Sequence, residues 1–425
     1  MSVPKALQFA TSSFPISRNT FKLQPYSTAS ANAGDQIQIS LPANSIVALD
    51  TLSVFGTVAA TTTAGYVGLP TNVESLIDSA YWTANGQQIS NSFNLYGVLA
   101  NAFLDWQGGD KINMRKVQQL GTPVAAAPAA SNVSNPVVWN NWLGLPSSAT
   151  TKYIDTSLIG DLRLHLRLAP NLVLTTTTST TAPSYSVSNL YAFIDVVSVD
   201  DGGLYQSLLQ KRLESGPLEV AFTDFYTFNA GGFPNGGPST NRFSVASSSL
   251  DYVHATALPY SYTNVGASNL SWSSNLGNSI YFQRGFPSLT YNTGSNATDF
   301  VSSVVTLNNV QYPASGPLLL NEAWNQTAIA LGEHNNLIGQ TNPLMTSLPL
   351  YLNNFFWHTT RFNSPGDASE HSVRTGQDTR GNSAWGTWQV NVPAGTTAYA
   401  YTAVVFVQVT KVWAIGAGRQ SQITA

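Results

Sequence analysis

The sequence predicts an all-β protein built as two consecutive antiparallel sandwiches of jelly-roll type, a double jelly roll with one short helix inserted in each half. Three observations lead there. Apolar segments of period two alternate with turn signals along most of the chain, a single helical pattern interrupts each half, and the order strand, Asn-containing turn, short strand, helix occurs twice. The two halves share no residue-level repeat, so the doubling lies in the order of elements.

At 425 residues the chain is long enough for two domains that each bury a sizeable core. Charged residues make up 9% of it, against roughly 25% in an average domain. Hydrophobic content of 43% and aromatic content of 11% are too rich in core formers for disorder, so a folded β protein with long polar loops is expected. The net charge of −3 offers no broad cationic surface, which argues against direct sequence-specific nucleic-acid binding. With no cysteine there are no disulfides, thiolate metal sites or cysteine nucleophiles. The start, Met1 to Phe9, lacks the apolar core of a signal peptide, and no run approaches the roughly 18 apolar residues of a membrane helix. Synthesis without a secretory signal is the expectation, and the N-x-S/T triplets at Asn132, Asn269, Asn296 and Asn325 then read as chance.

Residues 1–34 show little periodicity and are read as an extended arm, mildly basic because Lys5, Arg18 and Lys22 precede the first acidic residue, Asp35. The first sandwich is placed at 35–203. It opens with alternation over Gln36–Leu41 and a strand over Ile46–Val58, followed by a strand from Glu74 to Ala84 and a two-residue hairpin at Asn85-Gly86. Between Phe93 and Trp106, Leu95, Val98, Leu99, Ala102, Phe103 and Trp106 fall at helical spacing, with Asn91 or Ser92 as a cap and Gly108-Gly109 as a stop. Gly121–Ser148, rich in Pro, Ala and Asn, reads as a long loop. The clearest strand is Asp161–Leu168, with four leucines on one side and Asp161, Arg163, His165 and Arg167 on the other. A long apolar strand covers Leu190–Asp200.

A helical bridge is placed at 204–217, with its helix over Leu204–Leu213, and the second sandwich at 218–425. The latter predicts strands at Leu218–Phe228, Arg242–Ala257, Ser279–Phe282 and Val301–Leu307, a turn at Asn308-Asn309, and a short strand Val310–Tyr312. A helix is expected over Pro317–Leu331, with Pro317 in its first turn, then strands at Leu348–Thr359, Thr387–Val392 and Ala398–Trp413.

Candidate chemistry is sparse. No HExxH, CxxC, GxSxG or P-loop pattern occurs. Gly231–Gly237 lacks a lysine to reach a phosphate, and Gly416–Arg419 is followed by too few residues for a phosphate-binding helix. Glu333-His334 and Glu370-His371 are adjacent in sequence, so their side chains diverge on any regular element, and His165, His254 and His358 are scattered. His165, between Arg163 and Arg167, reads as a surface or interface residue. Asp200-Asp201 before Gly202-Gly203 offers clustered oxygens for calcium, but capping of the next helix accounts for the same residues. Trp106, Trp324, Trp357, Trp385, Trp388 and Trp413 are candidates for a sugar-binding groove, although core packing accounts better for the first two, which lie in the matching helices. No catalytic, cofactor or metal site is predicted.

Leu162–Pro170, Leu190–Tyr205, Ser249–Thr256 and the closing Val412–Arg419 resemble, in order and texture, the double jelly-roll major capsid proteins of tailless icosahedral DNA viruses, in particular those of virophages and polinton-like viruses. The resemblance implies a coat protein of the virion, without catalysis or cofactor. It implies two jelly rolls side by side, a homotrimer whose six lobes form a pseudo-hexagonal block, and contacts with neighbouring capsomers. Penton and minor capsid proteins, and an internal membrane beneath the shell, are the further partners it implies. Lys5, Arg18 and Lys22 are then expected on the inner face. Two rival readings remain at this point: a carbohydrate-binding or carbohydrate-active β-sandwich protein, and a minor capsid or spike protein of similar fold.

Overall fold

The computed structural model describes residues 16–26, 29–70, 72–106, 130–176, 183–199, 203–233, 237–259, 272–273, 278–279, 283–286, 301–331, 348–363, 376–381, 385–392 and 401–424. The principal strands of the first unit are β1 (Ile16–Leu23), β2 (Gln36–Ser40), β3 (Ile46–Thr61), β4 (Ile77–Ala84), β5 (Gln87–Gln88), β6 (Asn132–Trp139), β7 (Leu162–Leu168) and β8 (Ser184–Val199). Those of the second are β9 (Leu218–Phe233), β10 (Gly237–Ser244), β11 (Leu250–Pro259), β12 (Ser302–Leu307), β13 (Val310–Tyr312), β14 (His358–Arg361), β15 (Trp385–Val392) and β16 (Tyr401–Ile415).

The sheets of the first unit run β1-β8-β3-β6 and β2-β7-β4-β5, and those of the second run β9-β16-β11-β14 and β10-β15-β12-β13. Each strand of the second unit therefore takes the place of the strand eight earlier, and all of these pairings are antiparallel. The helices keep step. α1 (Tyr96–Trp106) lies between β5 and β6, and α3 (Leu320–Ala330) lies between β13 and β14, where α4 (Leu348–Asn354) follows it. α2 (Leu204–Glu214) bridges the units and buries none of its residues. Both hairpins that precede the matching helices put their two central residues at positive φ, Asn85 and Gly86 at 49° and 78°, Asn308 and Asn309 at 49° and 66°. That is the requirement of a tight turn matched to strand twist, and Asn and Gly meet it at low steric cost.

Several expectations shift. Ile16–Leu23, read as part of an arm, is the first strand of the first sheet; it is exposed on both sides except at Leu23, so its sequence carries no burial alternation to reveal it. The loop read over Gly121–Ser148 contains β6. Pro136 is tolerated there because β6 is an edge strand, where a missing N–H breaks no ladder. Val73–Leu76 forms a 3₁₀ turn before β4, and α1 begins only after Leu95, whose φ is 64°. Arg242–Ala257 is two strands in different sheets, β10 and β11. The crossing between them is pinned by Thr379, whose hydroxyl donates to the Val245 carbonyl at 2.8 Å and accepts from the Ser247 N–H at 2.9 Å. Leu318–Leu319 pairs with Ser302–Ser303 as a strand, which leaves Pro317 outside α3. Leu348–Asn354 is helical, not extended: Leu348, Tyr351, Leu352 and Phe355 stand at i, i+3, i+4 and i+7, a period that the continuous apolar run conceals.

In β7, Leu162, Leu164, Leu166 and Leu168 are at most 2% exposed, and each contributes about 2 kcal/mol by burial. On the other side of β7 Arg167 is exposed and Arg163 half-buried, whereas His165 is covered. His165 is 8% exposed because Tyr81, its cross-strand partner on β4, stacks on the imidazole at 4.5 Å, while the Thr83 hydroxyl meets Nε2 at 2.9 Å. Burial and the Arg163 charge hold this imidazole below the ordinary histidine value. The reading of His165 as a surface residue is thus corrected by a ring from the neighbouring strand.

Candidate functional site

The groups with chemical potential lie in the interior. Ser303 Oγ stands 2.6 Å from His358 Nδ1 and accepts the Trp388 indole N–H at 2.7 Å, which leaves its hydroxyl proton available to the imidazole. Serine beside histidine is the arrangement of nucleophilic catalysis. Here all three residues are at most 1% exposed, sealed in the core of the second unit. Burial pushes the His358 imidazole down to about 4. Asp251 is also enclosed, accepting from the Ser249 hydroxyl at 2.8 Å and the Thr410 hydroxyl at 2.7 Å, and desolvation raises its carboxyl above the usual range.

Among the described residues no group of three or more His, Cys, Asp or Glu is placed to hold a metal ion. A cavity of about 290 Å³ is lined by Phe103, Leu104, Trp106, Trp142, Leu143 and Leu331 among others, and a more open hollow of about 790 Å³ lies between Leu213–Pro217 and Gln420–Gln422. Neither brings together the pair of titratable groups that general acid–base chemistry needs.

The tryptophans form no common groove. Trp106, Trp357, Trp388 and Trp413 are buried, Trp324 packs partly buried against Trp106 at 5.9 Å, and Trp385 alone of the six is exposed. Asp200-Asp201, Glu333-His334, Glu370-His371, Asn269, Asn296 and Lys5 lie outside the described residues. Arg18 and Lys22 sit on β1 instead of on a free arm. The Arg18 Nε donates to Asp195 Oδ2 at 2.7 Å and the Thr20 hydroxyl to Oδ1 at 2.6 Å, which holds the Asp195 carboxyl below its ordinary value, the Thr20 bond first among the causes that lower it. Lys22 Nζ lies 4.2 Å over the Tyr191 ring.

What the fold does build is a junction between its two units. The outward side of sheet β9-β16-β11-β14 meets the β5–β6 connection of the first unit: Phe103 stands edge-on to His254 at 5.3 Å, and Phe93 meets Phe225 at 5.4 Å. Phe225, Leu258, Trp357, Val404 and Phe406 thereby join the core cluster of the first unit, while Trp106 joins that of the second. Two charged contacts close the seam. The carboxylate of Asp105, in the last turn of α1, pairs with the buried guanidinium of Arg284. An aspartate at a helix C-terminus is unfavourable to the dipole, and this cation offsets it. At the other contact Lys411 Nζ lies 2.6 Å from Asp224 Oδ2, which also accepts the Asn91 N–H at 2.9 Å; Lys411 donates in turn to Asn91 Oδ1 at 3.2 Å. Burial pushes the Asp224 carboxyl up, and Lys411 and these hydrogen bonds pull it back.

Sequence reasoning missed a second surface. On the outward side of β1-β8-β3-β6 the rings of Phe55, Tyr191 and Phe193 contact one another at 5.1 to 5.3 Å, all half-buried. The available signal was the apolar stretch Leu190–Val197, broken only by Asp195, which fills both sides of one strand where a sheet with one wet face would alternate.

With this geometry in place, comparison with known proteins finds no matching protein-family profile and no matching curated sequence. Solved structures do match. The Faustovirus major capsid protein superposes with a TM-score of 0.60 at 8% identity, over 95% of this chain and 91% of that one. PBCV-1 VP54, as fitted into a reconstruction of the virophage Sputnik, gives 0.59 at 11% identity over 97% of each chain. The mavirus major capsid protein gives 0.50 at 10% identity over 95% of this chain and 89% of that one. The fold is a double jelly roll. The likeness read in the sequence holds across nearly the whole chain as a likeness of fold, with each of the eight principal strands of one unit matched by a strand of the other.

Proposed function

We propose that this chain is a major capsid protein, which trimerises into a pseudo-hexagonal capsomer and tiles an icosahedral virus shell without catalysing any reaction. The observation that carries this reading is the pairing of two sandwiches of the same strand order, locked side by side by a shared core, in a fold matched end to end by viral capsid proteins. Two similar walls in one chain let three copies present six similar lobes, and a closed cyclic assembly is the standard outcome for a self-complementary subunit. The sparse charge suits a protein enclosed by neighbours, where unpaired charge is costly. Neighbouring capsomers, penton and minor capsid proteins and an internal membrane are the partners of this reading, and the segment ahead of Ile16, with Lys5, is assigned to the inner face. Burial of Trp106, Trp357, Trp388 and Trp413 weighs against the sugar-binding alternative.

Sizing of the purified protein by light scattering, with negative-stain imaging, tests the proposal. The expected result is a particle of three chain masses with a hexagonal outline. A monomer that binds oligosaccharides would overturn it, and an oligomer without hexagonal outline would favour a spike or vertex component.

A further inference from the structure

The seam between the two units holds an amine, a carboxamide and a carboxyl in mutual contact. Lys411 on β16 stands opposite Phe222 on β9, and Asp224 lies two residues farther along β9. Asn91 belongs to the other unit and enters from the connection ahead of α1. Lys411 Nζ lies 2.6 Å from Asp224 Oδ2 and 3.2 Å from Asn91 Oδ1, and the Asn91 backbone N–H donates to the same Asp224 oxygen at 2.9 Å. The carboxamide is held at its other end as well, since Asn91 Nδ2 donates to the Phe225 carbonyl at 3.4 Å. These partners set its plane with the carbonyl toward the amine.

Water is largely excluded from the group. Lys411 is 5% exposed and Asp224 2%, Nζ lies 5.1 Å from the centre of the Tyr226 ring, and Phe93 meets Phe225 alongside. An ammonium has three donors, and a carbonyl oxygen satisfies one of them, so the contact with Asn91 already serves packing. What sets the site apart is that a nucleophile, an electrophile and a proton carrier meet in one dry place.

We infer that Lys411 and Asn91 are the partners of an intramolecular isopeptide bond, with Asp224 as the group that moves the protons. Holding the reactants in contact replaces an encounter in solution by a unimolecular step. Asp224 Oδ2 takes a proton from Nζ, a role suited to a carboxyl that burial pushes above its usual range. The freed lone pair on Nζ attacks Asn91 Cγ, and the Cγ–Nδ2 bond breaks. Of the three ammonium protons, one stays on the new amide nitrogen, one leaves with Nδ2 as ammonia, and the one on Asp224 follows it as the ammonia becomes ammonium. No oxidant, metal or second substrate enters. The event occurs once per chain, so it matures the fold and adds no enzymatic turnover, and it is independent of the assembly proposed above. The bond ties the first unit to β16 across 320 residues of sequence. Closing so long a loop removes conformations from the unfolded chain, so the linked form unfolds at a higher urea concentration than the unlinked one.

Mass spectrometry of the intact chain tests this. Folded wild-type protein is expected at the mass of its sequence less one ammonia, and a proteolytic digest should contain a branched peptide that joins Asn91 to Lys411. Lys411→Arg keeps the cation and removes the nucleophile, and Asn91→Ala removes the electrophile; both are expected at full mass. Asp224→Asn keeps nearly the same shape without the carboxyl, and is expected to carry at least about tenfold less branched peptide with an unchanged circular dichroism spectrum. Full mass for wild-type protein, folded and incubated until its mass no longer changes, would overturn the inference. So would an ammonia loss that maps to another asparagine or that persists in Lys411→Arg. A wild-type level of the link in folded Asp224→Asn would overturn the role of the carboxyl.

Discussion

Acid should loosen this protein from within, and the effect can be worked out from two histidines. His254 and His358 are both fully buried, and desolvation pushes each imidazole from 6.5 down to about 4. Desolvation keeps both rings neutral. The partners suit a neutral ring in each case: His254 Nε2 lies 3.4 Å from Gln408 Oε1 and Nδ1 lies 2.9 Å from the Thr359 hydroxyl, while His358 Nδ1 lies 2.6 Å from the Ser303 hydroxyl. Between roughly pH 6.5 and 4 the unfolded chain takes up protons on these rings that the folded chain refuses, so their contribution to stability is whole above that window and falls as pH falls through it. A shift of about 2.5 pH units at about 1.36 kcal/mol per unit gives roughly 3 kcal/mol for each ring. Asp224, Asp251 and Asp78, whose carboxyls are raised chiefly by burial, act in the opposite sense, so the histidine term has to be isolated by difference. His254→Asn and His358→Asn keep an acceptor near the position of Nδ1 and remove the titration. Urea midpoints measured from pH 7 to pH 4 should fall more steeply for the wild type than for the double variant, with each histidine adding about 1 kcal/mol per pH unit to the slope near pH 5. Parallel slopes would show that these rings are not held neutral, and the burial argument would fail.

Three further outcomes follow from the junction and the first sheet. Arg284→Met alone strands the buried Asp105 carboxylate and should cost about 3–5 kcal/mol by urea denaturation, whereas adding Asp105→Leu should recover most of that loss; equal losses in single and double variants would show that the pair is not coupled. Gly285 has φ +110°, and a Cβ there would stand 2.2 Å from the Leu352 carbonyl oxygen, so Gly285→Ala should lower the melting temperature by an amount corresponding to about 1–3 kcal/mol; an unchanged melt would contradict the close approach. Deleting residues 1–15 should leave folding intact while reducing particle yield, and deleting 1–25 should also lower the melting temperature because it removes β1. Wild-type particle yield from the shorter deletion would refute the inner-face role of the leading segment.

The division between sequence and tertiary structure follows the range of the interactions involved. Period-two alternation in β7, the Asn85-Gly86 and Asn308-Asn309 turns and the helical spacing of Phe93–Trp106 are local, and they sufficed for the fold class, the doubling and the bridge over Leu204–Glu214. Where the local signal was absent or two-valued, only the folded chain decided. β1 has no burial alternation because all its residues but Leu23 are exposed, Leu348–Asn354 reads equally as strand or helix until Tyr351 and Phe355 find the core, and His165, read as a surface or interface residue, is covered once Tyr81 stacks on it. Which histidines, tryptophans and carboxylates are sealed was not legible in the sequence, since burial is a property of partners distant in sequence. The junction shows this most clearly: Asp105 and Arg284 are 179 residues apart, and Asn91 and Lys411 are 320 apart. No window along the chain joins them. The sequence by itself determined that the chain is built as two like halves, because each half repeats the same local order of strands, turn and helix. Only the packing of one half on the other decided which faces of the described residues are covered within the chain.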